Sequence, residues 1–382
     1  MYTDKNIEAF FELVRAGLWE KEARLSQFGN IDYAVIMQLA EEQSVVGLVT
    51  AGLERVQDVQ EVQGVQGSTG SSIPKEWSLQ FIGQTLQIEQ RNKDMNVFLS
   101  QLIEKLRKAG VYAILVKGQG IAQCYEKPLW RASGDIDLLL SDTNYEKAKK
   151  VLIPLAIDVE KEYRTFKHLG MTMSGGFAVE LHGTLHSRLS RRVDKVIDEA
   201  QKDVFFAGSV RLEEFKDSKG SRVQVFLPSP DNDAIFVFTH ILHHFYIEGI
   251  GLRQICDWCR LLYTYREKLD LRLLEERIRR AGLMSEWKAF GALAVEWLGM
   301  PVEAMPMFGS SVQEFKGKAE RIMEFVLECG NFGHNREKAG GKINSAWMKM
   351  KDFARHAKVF PLDSVKFLCH FMVDGVKLAL AK

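Results

Sequence analysis

The sequence is poor in the features that mark specialised classes of protein. It has five cysteines in 382 residues, at positions 124, 256, 259, 329 and 369. An odd, scattered set excludes a disulfide scaffold. An excess of one charge sign is also missing: 51 Lys and Arg stand against 50 Asp and Glu, a net of +1. That excludes a global basic field for holding nucleic acid, while still permitting a local basic pocket. No apolar run reaches the ~20 residues that span a bilayer. The start, MYTDKNIEAF, lacks the charged segment and apolar run of a secretory signal. A cytoplasmic protein is the expectation.

What is present is a globular composition, 46% hydrophobic and 26% charged, long enough for two or three folding units. Four stretches separate by pattern. Residues 1–57 form a helical segment, in which IEAFFELVRAGLW and YAVIMQLAEEQSVVGLVTAGL place apolar residues at i, i+3 and i+4. Residues 58–75 are rich in Gly, Ser and Gln with a short Val-Gln near-repeat, and read as a flexible linker. Residues 76–228 mix periods, and 229–382 return to a helical period.

The mixed stretch opens with a long amphipathic helix, about 76–108. The run VYAILV is a buried strand, broken by Lys117-Gly118-Gln119-Gly120, after which IAQCYE forms a short helix. GDIDLLL is a second strand. A helix over 142–152 follows, capped by Ser141 or Asp142. YRTFKHLGMTMSGGFAVELHG alternates as a hairpin turning at Ser174-Gly175-Gly176, and SRVQVFLP adds a strand. The expected class is α/β (α+β): a small mixed sheet with helices before it and a helical domain after it.

The chemistry lies in DIDLLL. Successive side chains of a strand point to opposite faces, so Asp135 and Asp137 share one face while Ile136, Leu138 and Leu140 share the other. Two adjacent carboxylates repel each other, and a hard divalent cation such as Mg²⁺ compensates them, together with substrate phosphates. Glu180 sits between Val179 and Leu181 in an apolar strand and shares a face with Ala178 and His182. If the two strands are neighbours, three carboxylates converge as metal-assisted phosphoryl chemistry requires. The Lys117–Gly120 loop would bring backbone amides to a phosphate. Lys117 and Arg131 would meet triphosphate charge. His182 would orient the nucleotide or act as a base toward the acceptor. The competing reading of Asp-x-Asp is an acidic, solvated edge strand.

LVKGQGIAQCYEKPLWRASGDIDLLL resembles the signature of the DNA polymerase β-like nucleotidyltransferase superfamily. It is most similar to the bacterial uncharacterised nucleotidyltransferase family. Glu180-Leu181-His182 and the stretch from His240 to Asp257 share that likeness. The resemblance implies Asp135, Asp137 and Glu180 as catalytic metal ligands for Mg²⁺ or Mn²⁺. It implies Gly118 and Gln119 as the phosphate-side loop. A nucleoside triphosphate is the implied donor, and the acceptor is left open between small molecule, RNA and protein. Gln119 departs from the Gly-Ser or Gly-Gly usual at that place.

Two alternatives stand beside this. One is a glycosyltransferase using Asp-x-Asp with Mn²⁺ and a nucleotide sugar, which would want a larger nucleotide-binding half before the motif. The other is an inactive binding or regulatory module. Further groups read as structural. His240, His243 and His244 lie along one helix and line an interface, without the Glu of a zinc motif. Cys256 and Cys259 sit inside a helix, with Asp257 and Arg253 as ion partners between elements. Arg188, Arg191 and Arg192 form a solvated face, and Gly330–Lys342 a basic loop.

Overall fold

A seven-stranded sheet lies in the middle of the chain, in the order β3-β4-β5-β2-β1-β7-β6. The strands are β1 (Ile114–Val116), β2 (Asp135–Leu139), β3 (Asp158–Val159), β4 (His168–Met173), β5 (Phe177–His182), β6 (Val210–Lys216) and β7 (Arg222–Pro228). The computed structural model describes residues 4–56, 73–163, 167–216, 218–247, 249–309, 312–331 and 342–369. The linker expected at 58–75 falls outside these except for its last three residues. The loop expected at 330–342 falls outside them except at its ends.

The sheet is mixed. β2 runs antiparallel to β1 and parallel to β5, while β4 and β5 form the antiparallel hairpin that alternation predicted. Its turn is Ser174–Gly176, with Gly175 at φ 80° and Gly176 at φ 72°. Such positive φ suits glycine, which has no Cβ to clash.

Alternation sends the two sheet faces into different cores. Ile136, Leu138 and Leu140 join Leu115, Val179 and Leu181 against the helix α4 (Lys75–Lys108), through Leu99, Leu102 and Leu106. Helix α6 (Asp142–Leu152), started by Ser141, adds Tyr145 and Leu152 to this layer. Ile114, Val116 and Leu139 point the other way, into a larger core of helices.

That second core joins both ends of the chain. From the N-terminal side come α1 (Lys5–Trp19), α2 (Tyr33–Glu42) and α3 (Val46–Leu53). After the sheet come α7 (Arg191–Phe206), α8 (Pro230–Ile247), α9 (Leu252–Thr264), α10 (Leu271–Ala281), α11 (Met284–Glu296), α12 (Val312–Cys329) and α13 (Lys342–Val359). The indole of Trp19 donates to the Leu298 carbonyl at 2.5 Å, and the Gln43 side chain bonds to Val326 and Leu252.

Several details differ from the sequence expectation, the two-residue strand β3 among them. The first strand starts at Ile114 rather than Val111. The short helix α5 (Gly118–Ala122) starts inside the Lys-Gly-Gln-Gly segment. Strand β6 was not anticipated. It is a charged edge, and only Phe215 of its side chains is buried, so its apolar signal is weak.

Candidate active site

The parallel register of β2 and β5 sets Asp137 opposite Glu180, and Leu139 opposite His182. Asp135 lies two residues before Asp137 on the same face. Ligand atoms of Asp135, Asp137 and Glu180 all fall within 4.8 Å of one another. On the outer side, β4 sets His168 opposite His182 and Gly170 opposite Glu180. Glu180 Oε2 is 3.1 Å from His168 Nε2 and 3.3 Å from His182 Nε2. Sequence reasoning overlooked His168. Pairing the hairpin about its turn would have placed it across from His182.

Charge is crowded in this space. The Asp137 carboxylate is buried, 2% exposed. It accepts a hydrogen bond from Lys117 Nζ at 3.1 Å and lies 2.7 Å from His182 Nε2. The charge of Asp137, then burial, pushes the Asp135 carboxyl up. Burial would also raise Glu180, but hydrogen bonds from His168 and His182 outweigh it and hold that carboxyl well below the usual range. Burial opposes the charge on His182 and on Lys117. The surrounding carboxylates overcome it, and both are raised.

The three carboxylates bring three negative charges, and Lys117 answers one. The chemistry of the donor set fits a hard divalent cation: clustered carboxylate oxygens, one buried and two half-buried, with surplus negative charge. Asp135, Asp137 and Glu180 are the residues that would hold it.

The chain reaches this face through a sharp turn. Lys117 has φ 57° and Gly118 φ 41°. A left-handed conformation is costly for lysine, and such strain concentrates at functional sites. It aims the ammonium at Asp137 and sets Gly118 on the cavity wall.

Gln119 corrects the sequence expectation. Its side chain is buried, donates to Asn92 Oδ1 at 3.3 Å and accepts from Ser133 Oγ at 2.9 Å. It bolts α5 to α4 and to the loop before β2, and it is not part of the cavity wall. Helix α5 has only five residues, too short for much of a dipole.

Arg131 does line the cavity, but its guanidinium is engaged. It grips Asp257 through two bonds, of 3.0 and 2.5 Å, and donates to Ser133. Burial opposes its charge, and Asp257 more than restores it. Tyr125 donates to the same carboxylate at 2.8 Å. Asp257 thus pairs with Arg131, and Arg253 donates to the Ala132 carbonyl at 2.7 Å.

The cavity has a volume of about 520 Å³. The acidic strands form one wall. Helices α8 and α9 form the opposite one, with His240, His243, His244 and Arg253. His240 and His244 Nε2 atoms are 3.1 Å apart, and His243 Nδ1 is 2.6 Å from the Ser187 carbonyl. Burial, then the Lys117 charge, holds the His240 imidazole well below its ordinary value. These histidines line the interface between the helices and the sheet, and among the described residues no metal-holding group forms around them.

Arg188 also faces the cavity, from the loop before α7 rather than from a solvated helix face. Arg192 donates to the Arg279 and Arg280 carbonyls. Cys256 and Cys259 are buried, unbridged thiols inside α9, both raised by burial.

A family model for uncharacterised nucleotidyltransferases matches residues 29–299, well over half of the chain. The chain belongs to the uncharacterised nucleotidyltransferase family. No curated protein and no solved structure matches it. The mixed sheet and its flanking helices are consistent with a nucleotidyltransferase-type fold. The family supports a transferase that takes a nucleoside triphosphate. Among the described residues, no helix is long and apolar enough to cross a membrane.

Proposed function

We propose that the protein transfers a nucleoside monophosphate from a nucleoside triphosphate to a small acceptor, with pyrophosphate leaving. The observation that carries this reading is the register of Asp137 against Glu180, which gathers three carboxylates on the wall of one cavity. An acceptor oxygen would attack the α-phosphorus, and the bond from that phosphorus to the bridging oxygen would break. A Mg²⁺ ion held by Asp135, Asp137 and Glu180 would steady the charge that develops on the transferring phosphate.

The chain's own residues carry the rest. Lys117 and Gly118 would face the triphosphate, with Arg188 and Arg253 adding positive charge on other parts of the wall. Arg131 would act mainly through Asp257, by fixing the segment that leads into β2. His182, set between Asp137 and Glu180, would hold these two carboxylates in position. Helices α8 and α9 would exclude water from the acidic wall.

A small acceptor is favoured by the cavity, whose ~520 Å³ falls within the range of small-ligand sites. The near-zero net charge supports the same choice over RNA. A glycosyltransferase would need a larger nucleotide-binding half before Asp135, and among the described residues only β1 precedes β2.

The test is pyrophosphate release on incubation with each common nucleoside triphosphate, Mg²⁺ and a pool of small metabolites. Release with at least one triphosphate, lost in Asp135→Asn, is expected. No release from any triphosphate would count against the reading.

A further inference from the structure

The carboxylate triad does not use all the ligand chemistry on this face. His168, Glu180 and His182 form a second group of metal-ligating side chains, whose donor atoms also lie within 4.8 Å of one another. The two groups share Glu180 and differ in kind, one all oxygen and the other mostly nitrogen.

Each member of the nitrogen-rich group is fixed by the sheet. His168 and His182 are direct cross-strand partners on β4 and β5, their rings 4.9 Å apart. Glu180 precedes His182 by two residues and so shares its face. Its own cross-strand partner is Gly170, and the Glu160 carboxylate lies over that glycine in the place a side chain would take. All three residues line the cavity.

The spacing is that of ligands around one ion. Imidazole nitrogen and carboxylate oxygen bind zinc-like ions at about 2.0–2.2 Å, so two ligands stand roughly 2.9–3.4 Å apart between octahedral and tetrahedral angles. The two distances from Glu180 Oε2 to imidazole nitrogens are 3.1 and 3.3 Å.

Hydrogen bonding alone serves this group poorly. One imidazole nitrogen carries at most one proton. His182 Nε2 faces two carboxylate oxygens, Asp137 at 2.7 Å and Glu180 at 3.3 Å, which compete for it.

We propose that His168, His182 and Glu180 form a second cation site, selective for a borderline first-row ion such as Zn²⁺ or Co²⁺ over Mg²⁺. Imidazole favours such ions, whereas all-oxygen sites favour Mg²⁺. The two-histidine, one-glutamate set leaves positions open toward the cavity, as catalytic rather than structural zinc sites do. The site stands whether or not nucleotidyl transfer is the reaction, because its occupation can be read without nucleotide.

The test is a titration of the metal-stripped full-length protein with Co²⁺ in excess Mg²⁺, followed by visible absorption. The Mg²⁺ competes for the carboxylate oxygens, Glu180 included, and leaves the imidazoles to Co²⁺. The expected result is one equivalent of Co²⁺ bound with bands distinct from the aqueous ion. His168→Ala should weaken this by at least the ten- to hundredfold that loss of an outer-shell partner costs. His168→Cys should restore binding with an added sulfur-to-cobalt charge-transfer band. Should His168→Ala not fold, His168→Gln is read in the same way. A spectrum identical to aqueous Co²⁺, or one unchanged by the His168 variants, would overturn the proposal. Mg²⁺-nucleotide binding measured on the same wild-type sample keeps this outcome separate from that of the transfer reaction.

Discussion

Asp137 and Glu180 stand side by side on parallel strands, each central in its strand and each facing the same cavity. Neither is a neighbour of the other in sequence. Their meeting depends on β5 inserting beside β2, and the balance of charge around them follows from that one register. Lys117 and His182 both converge on the buried Asp137 carboxylate.

Arg131 and Asp257 tie the segment before β2 to helix α9, with both side chains buried. Removing one partner of a buried pair leaves the other charge uncompensated, at a cost of about 3–5 kcal/mol. Arg131→Ala is expected to lower the urea midpoint by a corresponding amount. An exposed arginine held only for phosphate would lose nucleotide affinity with little change in stability, and that outcome would remove Arg131 from the framework.

Gln119 satisfies Asn92 and Ser133 in a buried position. Gln119→Leu takes the donor from the buried Asn92 Oδ1 and an acceptor from the Ser133 hydroxyl, and an unsatisfied buried group costs ~1–3 kcal/mol. Thermal unfolding should show a clear loss of stability. A variant as stable as the wild type would contradict the bolt described for this residue.

The acidic strand was legible because its two signals agree. Apolar residues at 136, 138 and 140 assign the inner face, and Asp135 and Asp137 then have to share the other. Glu180 stood out as a charge inside an apolar strand. The glycines at 175 and 176 gave the hairpin turn, and pairing the strands about it would have reached His168, which the sequence reading passed over. The roles of Gln119 and Arg131 were not legible. Their partners, Asn92 and Asp257, lie on helices whose packing is set by the whole core rather than by any local pattern. The contact of Lys117 with Asp137 was not legible either, because it requires the left-handed turn at Lys117 itself.

Away from the site, Glu286 on α11 is fully buried. Burial, and then the charge of Asp363, pushes its carboxyl up to about 8. A raised carboxyl contributes stability that is complete below the ordinary value of 4.5 and is lost as the pH climbs toward 8. Each pH unit in that window removes at most about 1.4 kcal/mol. Glu286→Gln should therefore match the wild type in acid and exceed it at pH 8, with a flatter profile of denaturant midpoint against pH. Parallel profiles would show that Glu286 ionises normally in the folded protein.

The central claim, a metal and nucleotide site built on Asp135, Asp137 and Glu180, is tested most directly by isothermal titration with ATP, GTP, CTP and UTP in the presence of Mg²⁺. Saturable binding of at least one triphosphate is expected. That binding should be lost without Mg²⁺ and lost in the Asp135→Ala/Asp137→Ala variant, with the variant's fold verified by circular dichroism. Absence of binding for all four, or binding unchanged in the variant, would contradict the account.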